Sequence, residues 1–514
     1  MPIFTSEQRA FAKTVSELTF CNPFLSERIE YERKALGPDF KESLAVWNMR
    51  LDQITKQPNV DEIRRRAEAL VESSVLLLAG EESATEAELG LYEDLVLFLL
   101  YYRYLDRFLE TSRKALDKTT YMSRISFYKE FTDDAQRYLS PGLIRLPAVD
   151  ELPHIFACFY QVRRAFYQIF NNIIGVSVPA VQIRARVWQS IFTHDMRRFR
   201  RALYKRMGNF TTLITGPSGT GKELVGRAIG LAQYIPFDPK TMTFREDIHN
   251  SFLPLNLSAL APTLMESELF GHCRGAFTGA VKDHTGRLDI CPEYGVVFLD
   301  EIGEIDPSVQ VKLLRVLEDR RFQRLGENSD RKFRGKILAA TNRDLAKAMQ
   351  QGIFREDFYY RLCSDIIELP SLAERIVDSE EELRCLVLFL AEREAPEEAP
   401  ALCKEVMAWI QRRLGKEYPW PGNIRELEQC VRNVLIRKEY NPAPRNRSMI
   451  QEWTDEMQAG TLTSDEVMQR YCTWIYSRSK SYEEAARRLE LDRRTVKAKI
   501  DPKWLERFTE GRMK

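Results

Sequence analysis

The chain has 514 residues, 44% hydrophobic and 29% charged, the balance of an ordinary soluble protein with room for about three domains. Lys and Arg number 76 against 75 Asp and Glu, a net charge of +1, which excludes a uniformly basic nucleic-acid coat but not a local basic patch. The longest apolar run, Leu95–Leu100, is far shorter than the roughly 20 residues of a membrane span. The first residues carry no basic-then-apolar leader, and the nine cysteines form no CxxC pair. The expectation is a cytoplasmic chain with no membrane partner, zinc site or disulfide framework.

In chain order, residues 1–187 read as helical, with only five glycines. Leu91, Leu95, Phe98, Tyr102, Leu105 and Leu109 step by three and four, as do Ile155, Phe159, Val162, Phe166, Ile169 and Ile173. Each set falls on one helix face. Two readings stand: core packing of an all-α domain, or a small-ligand pocket lined by these aromatics. From about 188 the pattern changes to short apolar runs alternating with helical stretches: Thr211–Thr215, Val296–Leu299 and Lys336–Ala340. Such runs predict buried parallel strands and an α/β domain.

The first run leads into Gly216-Pro217-Ser218-Gly219-Thr220-Gly221-Lys222-Glu223, followed by a helical stretch. Strand, glycine loop and helix in that order make a phosphate cradle, in which backbone N–H groups face phosphate oxygens and Lys222 reaches the outer phosphates. The expected ligand is ATP with Mg²⁺. Glu223 stands where a magnesium-holding hydroxyl is usual. The second run ends in Asp300-Glu301, at the sheet edge where ligands bind in doubly wound folds. Asp300 is assigned Mg²⁺, directly or through water, and Glu301 the polarising of the attacking water. The third run ends in Thr341-Asn342, where Asn342 would orient that water or meet the γ-phosphate.

Further motifs are more specific. Glu268-Leu-Phe-Gly-His272 is followed by Gly275-Ala276-Phe277-Thr278-Gly279-Ala280. With the phosphate loop and Asp300-Glu301, they resemble the sigma-54-dependent transcription activators, which are AAA+ ATPases. The resemblance implies an α/β core with a helical lid, and contact with sigma-54 and RNA polymerase holoenzyme through residues 275–280. A phosphate loop ending in Glu is usual in that family, whereas Pro217 replaces its customary Glu. The resemblance further implies a switch role for Asn256, arginine fingers Arg355 and Arg361 acting on a neighbouring subunit's ATP, and Arg425 facing the γ-phosphate. It implies a self-assembled ring, a hexamer in the family. The residues also support a physical reading: Gly275 and Gly279 free the loop to move, and an exposed Phe277 buries nothing in a lone subunit. Arg355 and Arg361 read equally well as salt-bridge formers beside Glu356 and Asp357.

The expected divisions are a helical, regulatory 1–187 open to an unknown ligand or protein, α/β 188–370, helical lid 371–436, linker 437–464 and helix-turn-helix 465–514. Trp188–Leu203 is expected to be a helix joining the first region to the phosphate loop. In the last division Ser481 caps a helix with Glu484 completing a capping box, and Ala485, Leu489, Leu491, Val496 and Ile500 would pack it on a second helix. Arg493, Arg494, Thr495, Lys497 and Lys499 would face double-stranded DNA. This end looks like the Fis-type reader of many such activators, with Glu490 in place of a common turn glycine. The implied function is an ATP-driven activator. The alternatives are an AAA+ motor with another target, or a DNA-binding repressor.

Overall fold

The computed structural model describes residues 2–42, 58–80, 84–115, 124–442, 453–454, 456–457 and 460–510. Residues 443–452, 455, 458 and 459 of the expected 437–464 linker lie outside them. The chain divides into two compact units, 1–439 and 440–514.

The first unit opens with helices α1 (Ser6–Phe20), α2 (Glu27–Leu36), α3 (Pro58–Ala79), α4 (Glu86–Arg103), α5 (Leu105–Lys114), α6 (Tyr128–Leu139), α7 (Leu152–Asn172) and α8 (Val178–Phe192). Capping boxes start two of them. The Thr5 hydroxyl accepts from the Gln8 N–H and Gln8 returns the bond; Thr85 and Glu88 do the same at α4. The apolar stripe from Leu91 to Leu109 crosses a break at Tyr104 between α4 and α5, yet Leu95 and Phe98 are buried and Leu91, Tyr102 and Leu109 pack on the core.

The expected helix 188–203 is interrupted. Thr193 has φ 66°, ending α8, and the chain resumes as α9 (Met196–Arg198) and a π-helical turn, Phe199–Leu203. A β-branched residue at positive φ cannot continue a helix.

The α/β layer holds nine strands: β1 (Thr212–Thr215), β2 (Phe237–Asp238), β3 (Thr243–Phe244), β4 (Phe252–Asn256), β5 (Val296–Asp300), β6 (Arg321–Phe322), β7 (Arg331–Lys332), β8 (Lys336–Thr341) and β9 (Asp365–Glu368). Five form a parallel sheet in the order β4-β5-β8-β1-β9, and the other four form two small ribbons. The three predicted runs became its central strands, β5, β8 and β1, buried on both faces as parallel strands require. Helices α10 (Lys222–Gly230), α11 (Pro262–Phe270), α12 (Arg287–Ile290), α13 (Pro307–Asp319), α14 (Leu345–Gln350) and α15 (Glu356–Leu362) link the strands. Helices α16 (Leu372–Asp378), α17 (Glu380–Glu394), α18 (Ala399–Arg413) and α19 (Asn423–Arg437) follow as a helical lid.

The boundary at 187 falls inside α8, and the apolar core does not divide there. One continuous core runs from Ile3 through α4, α7 and α8 to Ile214, Phe298 and Ile367 of the sheet. Polar ties reinforce it: Gln161 of α7 donates to Ala232 O (3.0 Å), and Arg164 to Gln233 O, just beyond α10. The route from the amino-terminal helices to the phosphate-loop helix is therefore the packing of α7 on α10, not a straight connecting helix.

The second unit contains α20 (Ser464–Ser479), α21 (Tyr482–Leu489), α22 (Arg493–Lys499) and α23 (Pro502–Glu510). Ala485 and Val496 are fully buried between α20, α21 and α22, with Leu489, Leu491 and Ile500 packed against them.

Candidate functional site

The topology turns at β1. Its neighbours β8 and β9 lie on opposite sides, and the loop after Thr215 leaves the sheet at its carboxyl edge. That is where a ligand crevice opens in such sheets. Gly216, Gly219 and Gly221 have φ of 142°, 79° and 98°, values that side chains rarely adopt. Space also restricts Gly219: a Cβ there would sit 2.3 Å from Gly422 O of the lid. The lid is fastened to this loop by Ile424 N donating to Gly219 O (3.0 Å) and Asn423 Nδ2 to Ser218 O (2.9 Å). Arg425 reaches Ser218 Oγ at 3.4 Å, and Thr220 Oγ1 donates to Pro217 O.

Lys222 begins α10 and is buried, its Nζ donating to Gly216 O (3.0 Å) and Pro217 O (3.2 Å). Burial pulls its pKa down, opposed by the carboxylates Glu301 and Asp300. Asp300 ends β5, and burial pushes its carboxyl up while the Glu301 N–H, 3.0 Å away, and Lys222 pull it down. Glu301 itself stands at φ 57°. This left-handed turn brings its carboxylate 3.4 Å from the Asn342 N–H at the end of β8. Lys222, Asp300, Glu301, Asn342 and Arg425 thus converge on the loop, and Glu223 is exposed on the first turn of α10.

The other assigned residues sit differently. Asn256 ends β4 level with Asp300, but its Oδ1 accepts from Ser258 N and Oγ (3.0 and 2.8 Å) and makes no bond to Glu301. Arg355 forks onto Asp357 (3.0 and 2.6 Å), and Arg361 donates to Glu318 (3.0 Å). All four groups are at the surface.

Residues 275–280 form a tight loop closed by Gly275 N to Ala280 O (2.9 Å) and Ala280 N to Phe277 O (3.0 Å). Gly275 and Gly279 take φ 82° and 102° with no atom near a notional Cβ, so conformation alone requires glycine there. Phe277 is not fully exposed as expected. Its ring lies edge-on to His272, centroids 4.9 Å apart, leaving Thr278 and Val281 as the exposed side chains. A ring with nothing else to cover it folds back on the nearest flat side chain.

In the second unit Ser481 caps α21 as expected, but Glu484 turns to Arg488 (2.6 Å) and does not close the box. Glu490 adopts φ 53° at the turn, the conformation a glycine would take. Along α22, Thr495 is held by Asp492, Lys499 pairs with Asp465, and Arg493 with Glu483 (3.2 Å). Arg494 and Lys497 are exposed and make no ion pair among the described residues.

A parallel sheet whose glycine loop, buried lysine and strand-end acidic pair converge beneath a helical lid defines a phosphate-loop α/β domain of the AAA+ kind. Residues 191–368 match the family described as the sigma-54 interaction domain. The chain is 44% identical over 231 residues to the Nif-specific regulatory protein of Azotobacter vinelandii, covering 45% of this chain and 40% of that protein. It is 40% identical over 274 residues to the transcriptional regulatory protein GlrR of Escherichia coli strain K12 (52% and 57%). The DNA-binding transcriptional regulator NtrC of Azospirillum brasilense matches at 40% over 240 residues, 46% of each chain. The chain therefore spans about half the length of the relatives it matches.

Proposed function

We propose that this chain is an ATP-dependent transcription activator that binds upstream DNA through its second unit and remodels sigma-54 RNA polymerase from a closed to an open promoter complex. The observation that carries the reading is the meeting of Lys222, Asp300 and Glu301 at the phosphate loop of a sigma-54 interaction domain.

In this reading the loop N–H groups and Lys222 bind the ATP phosphates, Lys222 exchanging its two carbonyl partners for phosphate oxygens. Asp300 fits a cation-holding role: it ends β5 beside the phosphate loop, and a nearby divalent charge favours the ionised carboxylate that burial disfavours. Mg²⁺ would supply neutralisation of phosphate charge. Glu301 takes the proton of the attacking water, held in place through the Asn342 N–H. Arg355 and Arg361 of one subunit face the ATP of the next, which requires a ring, and Arg425 faces the γ-phosphate from the lid. Asn256 couples this centre to the exposed Thr278 loop after leaving Ser258. Arg494 and Lys497 contact DNA phosphates and bases. Among the described residues no helix is long and apolar enough to cross a membrane. We place the protein in the cytoplasm.

The test separates binding from turnover. Lys222→Ala should abolish ATP binding in a fluorescent-nucleotide assay. Glu301→Ala should bind ATP as the wild type does and lose at least about 10²-fold in hydrolysis, the scale of a general base. Hydrolysis by Glu301→Ala near the wild-type rate would refute the assigned chemistry.

A further inference from the structure

The helical region contains a cavity of about 120 Å³ that the nucleotide site does not use. Its walls include Phe98 and Tyr102 of α4, Phe159 and Val162 of α7, Trp188 of α8 and Arg200. The half-buried Phe159, Val162 and Phe166 are the members of the α7 stripe that do not bury fully against other side chains, and all three line this cavity. At about 120 Å³ it is somewhat smaller than the roughly 150 Å³ apolar cavity that takes up benzene, so a single ring is the largest ligand it can admit.

The wall is not wholly apolar. Trp188 is only 2% exposed, and its Nε1–H is buried without a hydrogen-bond partner. The Nε–H of Arg200 is likewise buried and unpartnered. Glu93, a carboxylate that feels the Arg200 charge, accepts instead from the Ala148 N–H. Buried donors are almost always paired, and two orphans on the wall of one cavity call for an acceptor. A cationic donor favours an anionic one.

We infer that this cavity binds a small apolar carboxylate, a single-ring acid of about the size of benzoate, its ring among the aromatic walls and its carboxylate accepting from Trp188 Nε1 and Arg200 Nε. Mostly apolar walls with a few polar groups that fix orientation are the usual make-up of a small-molecule site. The site also has a route to the phosphate loop, because Phe199 and Arg200 belong to the π-helical turn that precedes β1. The inference does not depend on the proposed ATP chemistry, because its readout is binding.

The probe is 4-fluorobenzoate, titrated into the full chain and followed by ¹⁹F NMR and calorimetry. We expect saturable one-site binding, displaced by benzoate, with toluene weaker and acetate inactive. Trp188→Phe keeps an aromatic ring at the position but removes the donor and should weaken binding by about tenfold or more. Val162→Phe fills the cavity and should abolish binding; if it fails to fold, Phe159→Trp fills the same space from the same helix. Absence of saturable binding to the folded wild type would overturn the inference, as would wild-type affinity in both Trp188→Phe and a folded cavity-filling variant.

Discussion

Arg355 and Arg361 are proposed to act on a neighbouring subunit's ATP, and their present partners leave that role open to them. Each is paired with a surface carboxylate, Asp357 or Glu318, as the composition of the segment allows. Exposed pairs contribute only about 0–1 kcal/mol, so either arginine can exchange its partner for a phosphate at small cost. Arg355→Ala and Arg361→Ala should therefore leave the unfolding midpoint nearly unchanged while lowering ATP turnover by about 10³-fold or more, the scale of an arginine finger. Mixing either variant with Lys222→Ala subunits should restore part of the turnover, because intact fingers then meet intact pockets across mixed interfaces. Mixed rings with no recovered activity at any ratio would contradict action in trans. Phe277 carries a related lesson. Its glycine-flanked setting was legible in the sequence, but the ring of His272 that half-covers it was not, since that contact needs the bridge between His272 and His284.

At the scale of elements, the clearest device is the junction between the helical region and the lid. The loop after α7 is held by Glu382 of α17, whose carboxylate accepts from Val176 N (2.5 Å) and Ser177 N (2.8 Å) and pairs with Arg375 of α16. Arg375 donates in turn to Ile174 O, and Asp378 accepts from Val178 N (2.7 Å). Gly175 takes φ 140°, where side chains are strained, and a Cβ there would press on the Arg375 and Glu382 side chains. Both ionic groups are almost wholly buried. Removing one leaves the other charged without a partner, at a cost of about 3–5 kcal/mol, whereas replacing both by apolar groups is often nearly neutral. Glu382→Ala should thus lower unfolding stability in urea by roughly 3 kcal/mol, and Arg375→Met with Glu382→Met should recover most of it. Equal losses in the single and double variants would argue against a buried pair.

Which elements could be read beforehand follows from how local their signals are. Strands β1, β5 and β8 were legible because a strand buried on both faces is a continuous apolar run. The edge strands β4 and β9 were not. Phe252–Asn256 contains Pro254, tolerated only because β4 is an edge strand, and Asp365–Glu368 has just two apolar residues between acids. Lys222, Asp300 and Glu301 were legible from spacing, whereas the Gly219–Gly422 approach joins residues about 200 positions apart and leaves no local trace.

At the scale of the molecule, the continuous core ties the amino-terminal helices to the sheet, and 1–439 and 440–514 are two compact units. The chain ended at Glu439 should keep the thermal transition and ATPase activity of the first unit and lose DNA affinity in a gel-shift assay. Starting the chain at 188 should instead give an unstable, aggregating product, since it cuts α8 and strips α7 from α10 and the sheet, exposing large apolar surface. A well-folded, fully active 188–439 fragment would contradict the shared core. The helical region thus meets the α/β layer through packing of α7, α8 and their neighbours and is not a detachable domain.

The central claim is that ATP turnover is coupled to sigma-54 through residues 275–280. Its most direct test is permanganate footprinting of promoter melting by purified sigma-54 holoenzyme with the wild type and with Thr278→Ala. Thr278 is exposed on that loop and touches no part of the nucleotide site, so the variant should hydrolyse ATP at the wild-type rate and leave the promoter closed. Promoter opening by Thr278→Ala equal to that of the wild type would contradict the account.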